Sequence, residues 1–468
     1  MTDTESRPMP RPLVVTFLGA GSMFCPELCR DVMQIPGNVG GEFRLVDTDT
    51  GRLDLMHRLI EKLAVELGAV GWSVTSTADR RDVLTGTDYA ICCVEVSGLD
   101  CVGFDNDIPS EYGVDQCIGD TVGPGGLFKG LRTIPVFLDI LRDMAELCPQ
   151  AIMLNYTNPM SMMCLAAARA VPDVSVVGLC HSVQASQAIL SARLGVPHTE
   201  LAWACAGVNH LAWFTALTLD GIDQYPRLKE QARAELYGNP DDSDNAWPDD
   251  VGTDRVRKDV MLHYGAFVTE SSGHLSEYVP HYRNRDEGRS YLGDAYDGES
   301  RYYATNWPTW RAEADERRHN LLDDSLDDSE EFDRARGWEY ASWIIEAREK
   351  DQPFRIHGNV PNTAPDGSGR LITNLPADSC VEVACMVDRQ GIRPTRFGAL
   401  PPQMAHVCAS TIAVHDLGAT AAIERSKDAA VHALLLDPLC RSVLTPHETE
   451  RMTADLFAAE AEYLPGFI

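Results

Sequence analysis

Between residues 13 and 200 the apolar positions fall into short dense runs, LVVTFL, FRLV, DYAICCVEV, AIMLNY and SVVGLC, separated by stretches with helical spacing such as CPELCRDVMQI and LRTIPVFLDILRDMAEL. Runs this short, without polar alternation, belong to strands covered on both faces. Strand alternating with helix predicts a parallel sheet between two helical layers, an α/β fold. From Leu201 the pattern changes: LAWACAGVNHLAWFTALTLDG reads as longer, antiparallel strands, and helices joined by acidic loops follow. The expected organisation is a flexible arm over 1–12, an α/β domain over 13–200 and a second, mixed α+β domain over 201–468. No fixed-period repeat is visible, and the C-terminal stretch, with Ala and Leu at helical spacing, is read as packing helices.

Composition narrows the function. The chain has 468 residues, 44% hydrophobic and 24% charged, with 36 Gly and 27 Pro dispersed along it, which excludes fibrous and wholly disordered classes. Seventy Asp and Glu against 40 Lys and Arg leave a net charge of -30, a field that repels nucleic-acid backbones and anionic membrane surfaces. No run reaches the roughly 18 apolar residues that span a bilayer. The 14 cysteines include no CxxC pair, and Cys92, Cys93 and Cys164 lie inside apolar runs. A reducing cytoplasm is therefore the expected compartment, with neither nucleic acid nor membrane as a partner. The acidic runs NPDDSDNAWPDD and LLDDSLDDSEEFDRAR are read as solvated loops or helix faces.

Several strand ends carry chemistry. Gly19-Ala20-Gly21-Ser22-Met23-Phe24 stands between the first strand and the first helix, and Asp47 closes the next strand. Glycines there let the backbone approach a pyrophosphate at a helix N-terminus, and the acid takes ribose hydroxyls while repelling a 2′-phosphate. NAD is thus expected over NADP, in a Rossmann-type domain, with Gly19, Gly21, Ser22, Met23 and Asp47 as contacts. Phe24 replaces the third glycine of the fingerprint, so a plain tight turn is the competing reading. Glu95, in VEVSG, closes the fourth strand, where such folds bend beneath the nicotinamide; a simple strand exit competes. The loop from Gly119 to Gly126 holds four glycines in eight residues and fixes the direction of Asp120 ahead of a helix. Asn158, in NYTNPM, lies at the carboxyl edge of the sheet, where open α/β folds bind ligands, although Asn before Pro is also turn chemistry. Cys180-His181-Ser182 ends the next strand, and His210 follows in GVNH. Each alone reads as a core residue. Together the Cys180 thiolate and the His210 imidazole make an incomplete site for a borderline transition metal, with positions left for water and substrate oxygens.

Taken in order, GDTVGPGG, NYTNPM, CHSV, GVNHLAWF, FVTESSGHLSEYVP and HGNVPN resemble glycoside hydrolase family 4 over most of residues 13 to 390. Family 4 is an exception to glycoside hydrolysis by paired carboxylates. The resemblance implies a fold related to lactate and malate dehydrogenases, with His210 where those enzymes keep their histidine. It also implies that NAD takes hydride from C3 of the sugar, and that a divalent metal, Mn²⁺, on Cys180 and His210 polarises the C2 and C3 oxygens. A base then removes the C2 proton, the aglycone leaves from C1, water adds, and the hydride returns. The segment around Asp259 resembles the stretch where members acting on unphosphorylated sugars carry an aspartate base, so Asp259 is the candidate base, with Tyr264 as the alternative. Asp120 resembles the general acid, and Asn158 would bind sugar hydroxyls. His181, the residue after the cysteine, goes with unphosphorylated substrates and is expected on the sugar side. The motifs look most like the α-galactosidase branch, with α-glucosidase and α-galacturonidase as alternatives and a homodimer or homotetramer as the assembly. An NAD-dependent 2-hydroxy-acid dehydrogenase is the rival reading, but no loop around Asp120 matches the Asp-His pair and arginine clamp it needs.

Overall fold

The computed structural model describes residues 8–238, 253–322 and 335–468. Residues 1–7 of the expected arm, the acidic run 239–250 and most of the run 321–336 lie outside the described residues. The strands are β1 (Leu13–Leu18), β2 (Gly41–Val46), β3 (Trp72–Thr77), β4 (Tyr89–Cys92), β5 (Ile152–Asn155), β6 (Ser175–Gly178), β7 (Ala202–Val208), β8 (Leu211–Leu219), β9 (Ile222–Asp223), β10 (Phe267–Val268), β11 (Phe354–Pro361), β12 (Cys380–Asp388) and β13 (Gly391–Pro394).

The first six strands are parallel in the order β3-β2-β1-β4-β5-β6, the doubly wound arrangement expected from the alternating pattern. Strand periodicity sends alternate residues to opposite faces. Tyr89 and Ile91 of β4 join the core shared with the helices Cys25–Met33 and Thr50–Glu66. Ala90 and Cys92 join the other, shared with the helices Gly123–Leu147 and Met160–Ala170. This is why those runs lack polar alternation: both faces are buried.

The C-terminal half continues the same sheet. β11 pairs antiparallel with β6 through Asn359 opposite Gly178, and the order then runs β11-β12-β7-β8-β10. The helix Pro402–Glu424 packs on Gly123–Leu147 and Met160–Ala170, tying the two halves together. The carboxyl ends of β1, β4, β5 and β6 and the turn between β7 and β8 all feed the region described next. No helix among the described residues is long and apolar enough to cross a membrane, and all 14 cysteines are free.

Candidate functional site

The turn after β1 is built from main chain. Gly19 and Ala20 donate to the Val46 carbonyl at 2.9 and 3.0 Å, and Gly21 N–H donates to Asp47 Oδ2 at 2.7 Å. Gly19 has φ +82°, and a Cβ there would lie 2.6 Å from the Cys93 carbonyl oxygen. A Cβ on Gly21 would lie 2.9 Å from Asp47 Oδ2. No side chain fits at either position, which leaves the backbone free to approach a ligand at the start of the helix Cys25–Met33. Ser22 and Met23 are half-buried at that helix start. Two arginines absent from the sequence reading also hold the turn: Arg52 Nε donates to Gly21 O at 3.1 Å, and Arg318 Nη2 donates to Ser22 O at 3.3 Å. Asp315 pairs with both of them.

Around the glycine loop, Glu95 is ion-paired with Lys129 at 2.8 Å, and Asp120 lies 3.8 Å from the same ammonium. Asn158 Nδ2 donates to Asp120 Oδ2 at 3.1 Å, and Thr121 donates to Oδ1 at 2.7 Å. Burial opposes the Asp120 charge, but Lys129, His274 and His210 outweigh it and hold the carboxyl down at about 2. Asp120 is therefore ionised at neutral pH. Lys129 was missed in the sequence, where GLFKG reads only as helix. A cavity of about 50 Å³ opens between Glu95, Asp120, Lys129, Tyr303 and Trp307.

Cys180 follows β6 at the start of the helix Ser182–Leu194. Its thiol donates to Ser182 Oγ at 3.3 Å, and burial pushes it up to about 12. His210 occupies the two-residue turn between β7 and β8 with φ +62°, a left-handed conformation uncommon for a side-chain-bearing residue and concentrated at functional sites. Glu270 follows β10, again with positive φ (75°), and its Oε2 lies 3.4 Å from His210 Nε2. Burial opposes the Glu270 charge, yet His210, His274 and His181 keep the carboxyl below its ordinary value. Sulfur, imidazole nitrogen and carboxylate oxygen of Cys180, His210 and Glu270 all lie within 4.8 Å of one another. The sequence pointed to the first two of these; the third comes from FVTESS, which was read as a motif and not residue by residue.

Behind this cluster, His210 Nδ1 lies 2.9 Å from His274 Nε2, and His274 Nδ1 lies 2.7 Å from Glu277 Oε2. Glu382 of β12 faces Gly207 of β7 and Asn359 of β11. It is fully buried beside Asn359, and burial raises its carboxyl to about 8. His181 pairs with Glu339 at 3.2 Å, and that bond, more than any other interaction, lifts its imidazole to about 9. Its ring stacks on Phe24 of the nucleotide turn, with centroids 6.4 Å apart.

Asp259 and Tyr264 bond to other groups. Asp259, on the helix Arg255–Tyr264, accepts from Tyr237 at 2.6 Å and from Tyr282 at 2.8 Å, with His263 at 3.3 Å. The Tyr264 hydroxyl meets His281 Nε2 at 3.2 Å. None of these partners belongs to the Cys180–His210–Glu270 cluster or to the Asp120 loop.

A doubly wound sheet with a glycine cradle and an N, O and S donor cluster at its edge defines an α/β protein of dinucleotide-binding type with a candidate metal centre. The family model described as Family 4 glycosyl hydrolase matches residues 14–196, and that described as Family 4 glycosyl hydrolase C-terminal domain matches residues 205–440. The chain is 36% identical to an alpha-galactosidase of Bacillus subtilis (strain 168), covering 97% of this chain and 99% of that one. It is also 36% identical to an alpha-galactosidase of Rhizobium meliloti (strain 1021), covering 97% and 89%. This protein belongs to family 4 of the glycosyl hydrolases. In fold it is similar to a 6-phospho-alpha-glucosidase from gut microorganisms solved in complex with NAD and Mn²⁺, with a TM-score of 0.79, 20% identity, and coverage of 98% of this chain and 100% of that one.

Proposed function

We propose that this glycosidase hydrolyses unphosphorylated α-galactosides using NAD and a divalent metal, Mn²⁺ by preference. The observation that carries the reading is the Cys180–His210–Glu270 donor cluster at the edge of a sheet whose first turn is the Gly19–Gly21–Asp47 cradle. Both groups fit the residues present. Thiolate, imidazole and carboxylate suit a borderline transition metal, and three protein donors leave positions for sugar oxygens. The glycines leave bare main chain at the start of the helix Cys25–Met33, the feature that suits a pyrophosphate, and the Asp47 carboxylate disfavours a 2′-phosphate. When bound, NAD supplies a reversible hydride acceptor and the metal a Lewis acid for sugar hydroxyl oxygens.

The chain's own residues do the rest. Gly19 and Gly21 bring main chain against the cofactor, and Asp47 orients its ribose. Asn158 spends one amide hydrogen on Asp120, so its carbonyl oxygen and the Asp120 carboxylate remain to receive sugar hydroxyls. Asp259 is assigned the C2 proton on the family resemblance. Cys180 must lose its proton to become a ligand, so metal affinity rises with pH.

Two features support a neutral sugar. Among the described residues, Lys129 is ion-paired with Glu95 and Asp120, and His181 with Glu339. The remaining groups, Asp120 and Glu270, are carboxylates that would repel a sugar phosphate. The same reading carries a cytoplasmic location and a homodimeric or homotetrameric assembly. The test is kcat/KM for an aryl α-galactoside against its 6-phospho counterpart, the α-glucoside and the α-galacturonide, with NAD, Mn²⁺ and a thiol reductant present. The galactoside is expected to be fastest; a faster 6-phospho substrate would overturn the reading.

A further inference from the structure

Glu277 divides its two oxygens between separate parts of the site. Oε2 faces His274 Nδ1 at 2.7 Å, while Oε1 accepts the backbone N–H groups of Cys117, Ile118 and Gly119 at 2.7, 2.8 and 3.2 Å. Both Glu277 and His274 are 1% exposed, so these bonds lie away from bulk solvent. The proton positions then follow from the partners. For His210 Nε2 to offer a lone pair to a cation, its Nδ1 must carry the proton. The group 2.9 Å from that nitrogen is His274 Nε2, which must accept. His274 must in turn donate from Nδ1, and Glu277 supplies the acceptor.

We propose that Glu277 is the positioning residue of the metal site. Acting through His274, it selects the ligating tautomer of His210, and through Oε1 it ties that selection to the loop that carries Asp120. The proposal rests on the reading that Cys180, His210 and Glu270 hold a divalent cation. A carboxylate–histidine chain behind a ligating histidine fixes its ring and raises its basicity, and losing such a partner typically costs about 10- to 100-fold in metal affinity. Here the second oxygen adds a coupling. The side chain that prepares the ligand also fills the three N–H groups immediately before Asp120, so metal occupancy and order in the sugar-facing loop reinforce each other.

The experiment uses the full-length, reduced, metal-stripped protein, titrated with Co²⁺ and followed by the thiolate-to-cobalt absorption of Cys180. Glu277→Gln preserves shape and removes the charge; His274→Leu removes the acceptor toward His210 and leaves the loop bonds of Glu277 in place. Both are expected to weaken Co²⁺ binding by about 10- to 100-fold while leaving NAD affinity unchanged. KM for the galactoside should rise more in Glu277→Gln than in His274→Leu, because only the former disturbs Cys117–Gly119. Wild-type Co²⁺ affinity in either variant overturns the tautomer role, and His274→Leu tests it even where Glu277→Gln loosens the fold. Equal KM in the two variants overturns the coupling. Absence of the cobalt–thiolate band in the wild-type protein would instead overturn the metal reading on which the proposal stands.

Discussion

At the parallel end of the sheet, around Gly19 and Gly21, the site is made of main chain, and side chains are excluded by contacts of 2.6 and 2.9 Å. At the antiparallel end, around His210, it is made of side chains drawn from β6, the β7–β8 turn and the segment after β10, brought within 4.8 Å of one another. The first region is specified by what must be absent. The second is specified by what must be present, three donors of different chemistry from separate elements. The two regions should therefore fail differently: added volume should damage the cradle and spare the cluster, and removal of a donor should do the reverse.

The largest effect is expected at the cluster. Cys180→Ser or His210→Ala removes a proposed ligand of a Lewis-acid site worth several kcal/mol, so kcat/KM should fall on the order of a thousandfold, with NAD affinity unchanged by titration. Wild-type turnover in either variant without metal would return both residues to the core and dissolve the contrast.

Next comes Asp259, which lies in neither region. Asp259→Asn should slow turnover by about 100-fold, the low end for a general base, and stop exchange of the sugar C2 proton with solvent deuterium while binding persists. Exchange at the wild-type rate would remove Asp259 from the chemistry, and its two tyrosine hydroxyls would then explain it as a structural carboxylate.

In the cradle, Gly21→Ala places a Cβ against Asp47 Oδ2. Overpacking of this kind costs about 1–3 kcal/mol, or roughly 10- to 100-fold in NAD affinity, and Co²⁺ binding at Cys180 should not change. Loss of metal binding in this variant would show that the two regions are not separable.

The smallest effect concerns Glu382, beneath the cluster. Its carboxyl is raised from 4.5 to about 8 by burial, so between those values the folded protein holds a proton that the unfolded chain releases. Stability of the metal-free protein from this group is greatest below pH 4.5 and declines as pH rises toward about 8. Glu382→Gln should flatten that decline and raise Tm at pH 8 by a few degrees in melts recorded across the pH range. An unchanged pH dependence would remove Glu382 from this role.

The same contrast explains what was legible in the sequence. The Gly19–Gly21 turn, Asp47 and five of the six parallel strands are local patterns, readable from glycine spacing and short apolar runs; β3 (Trp72–Thr77) alternates half-buried and exposed positions and is not one of those runs. Cys180 and His210 end strands and carry distinctive chemistry, so they too could be singled out. Glu270, His274 and Glu277 all lie in FVTESSGHLSEYVP, where the i, i+3 spacing of His274 and Glu277 on one helix is the local signal for their pairing. Arg318 could not be placed, because its role depends on where the helix Tyr302–Leu322 crosses the nucleotide turn. The junction of Asn359 with Gly178 depends on register between strands far apart in the chain. The charge state of Asp120 is set by Lys129, His274 and His210 arriving from separate elements, and no local pattern encodes it.

The central claim is that the nucleotide cradle and the donor cluster serve one hydrolytic reaction. It is tested most directly by following aglycone release and NADH absorbance together, in protein verified to be stripped of both NAD and metal. The account predicts hydrolysis of an aryl α-galactoside only when NAD and Mn²⁺ are both restored under reducing conditions, with no net NADH formed, because the hydride returns within each turnover. Full hydrolysis without NAD would contradict it, and steady accumulation of NADH would show a dehydrogenase instead.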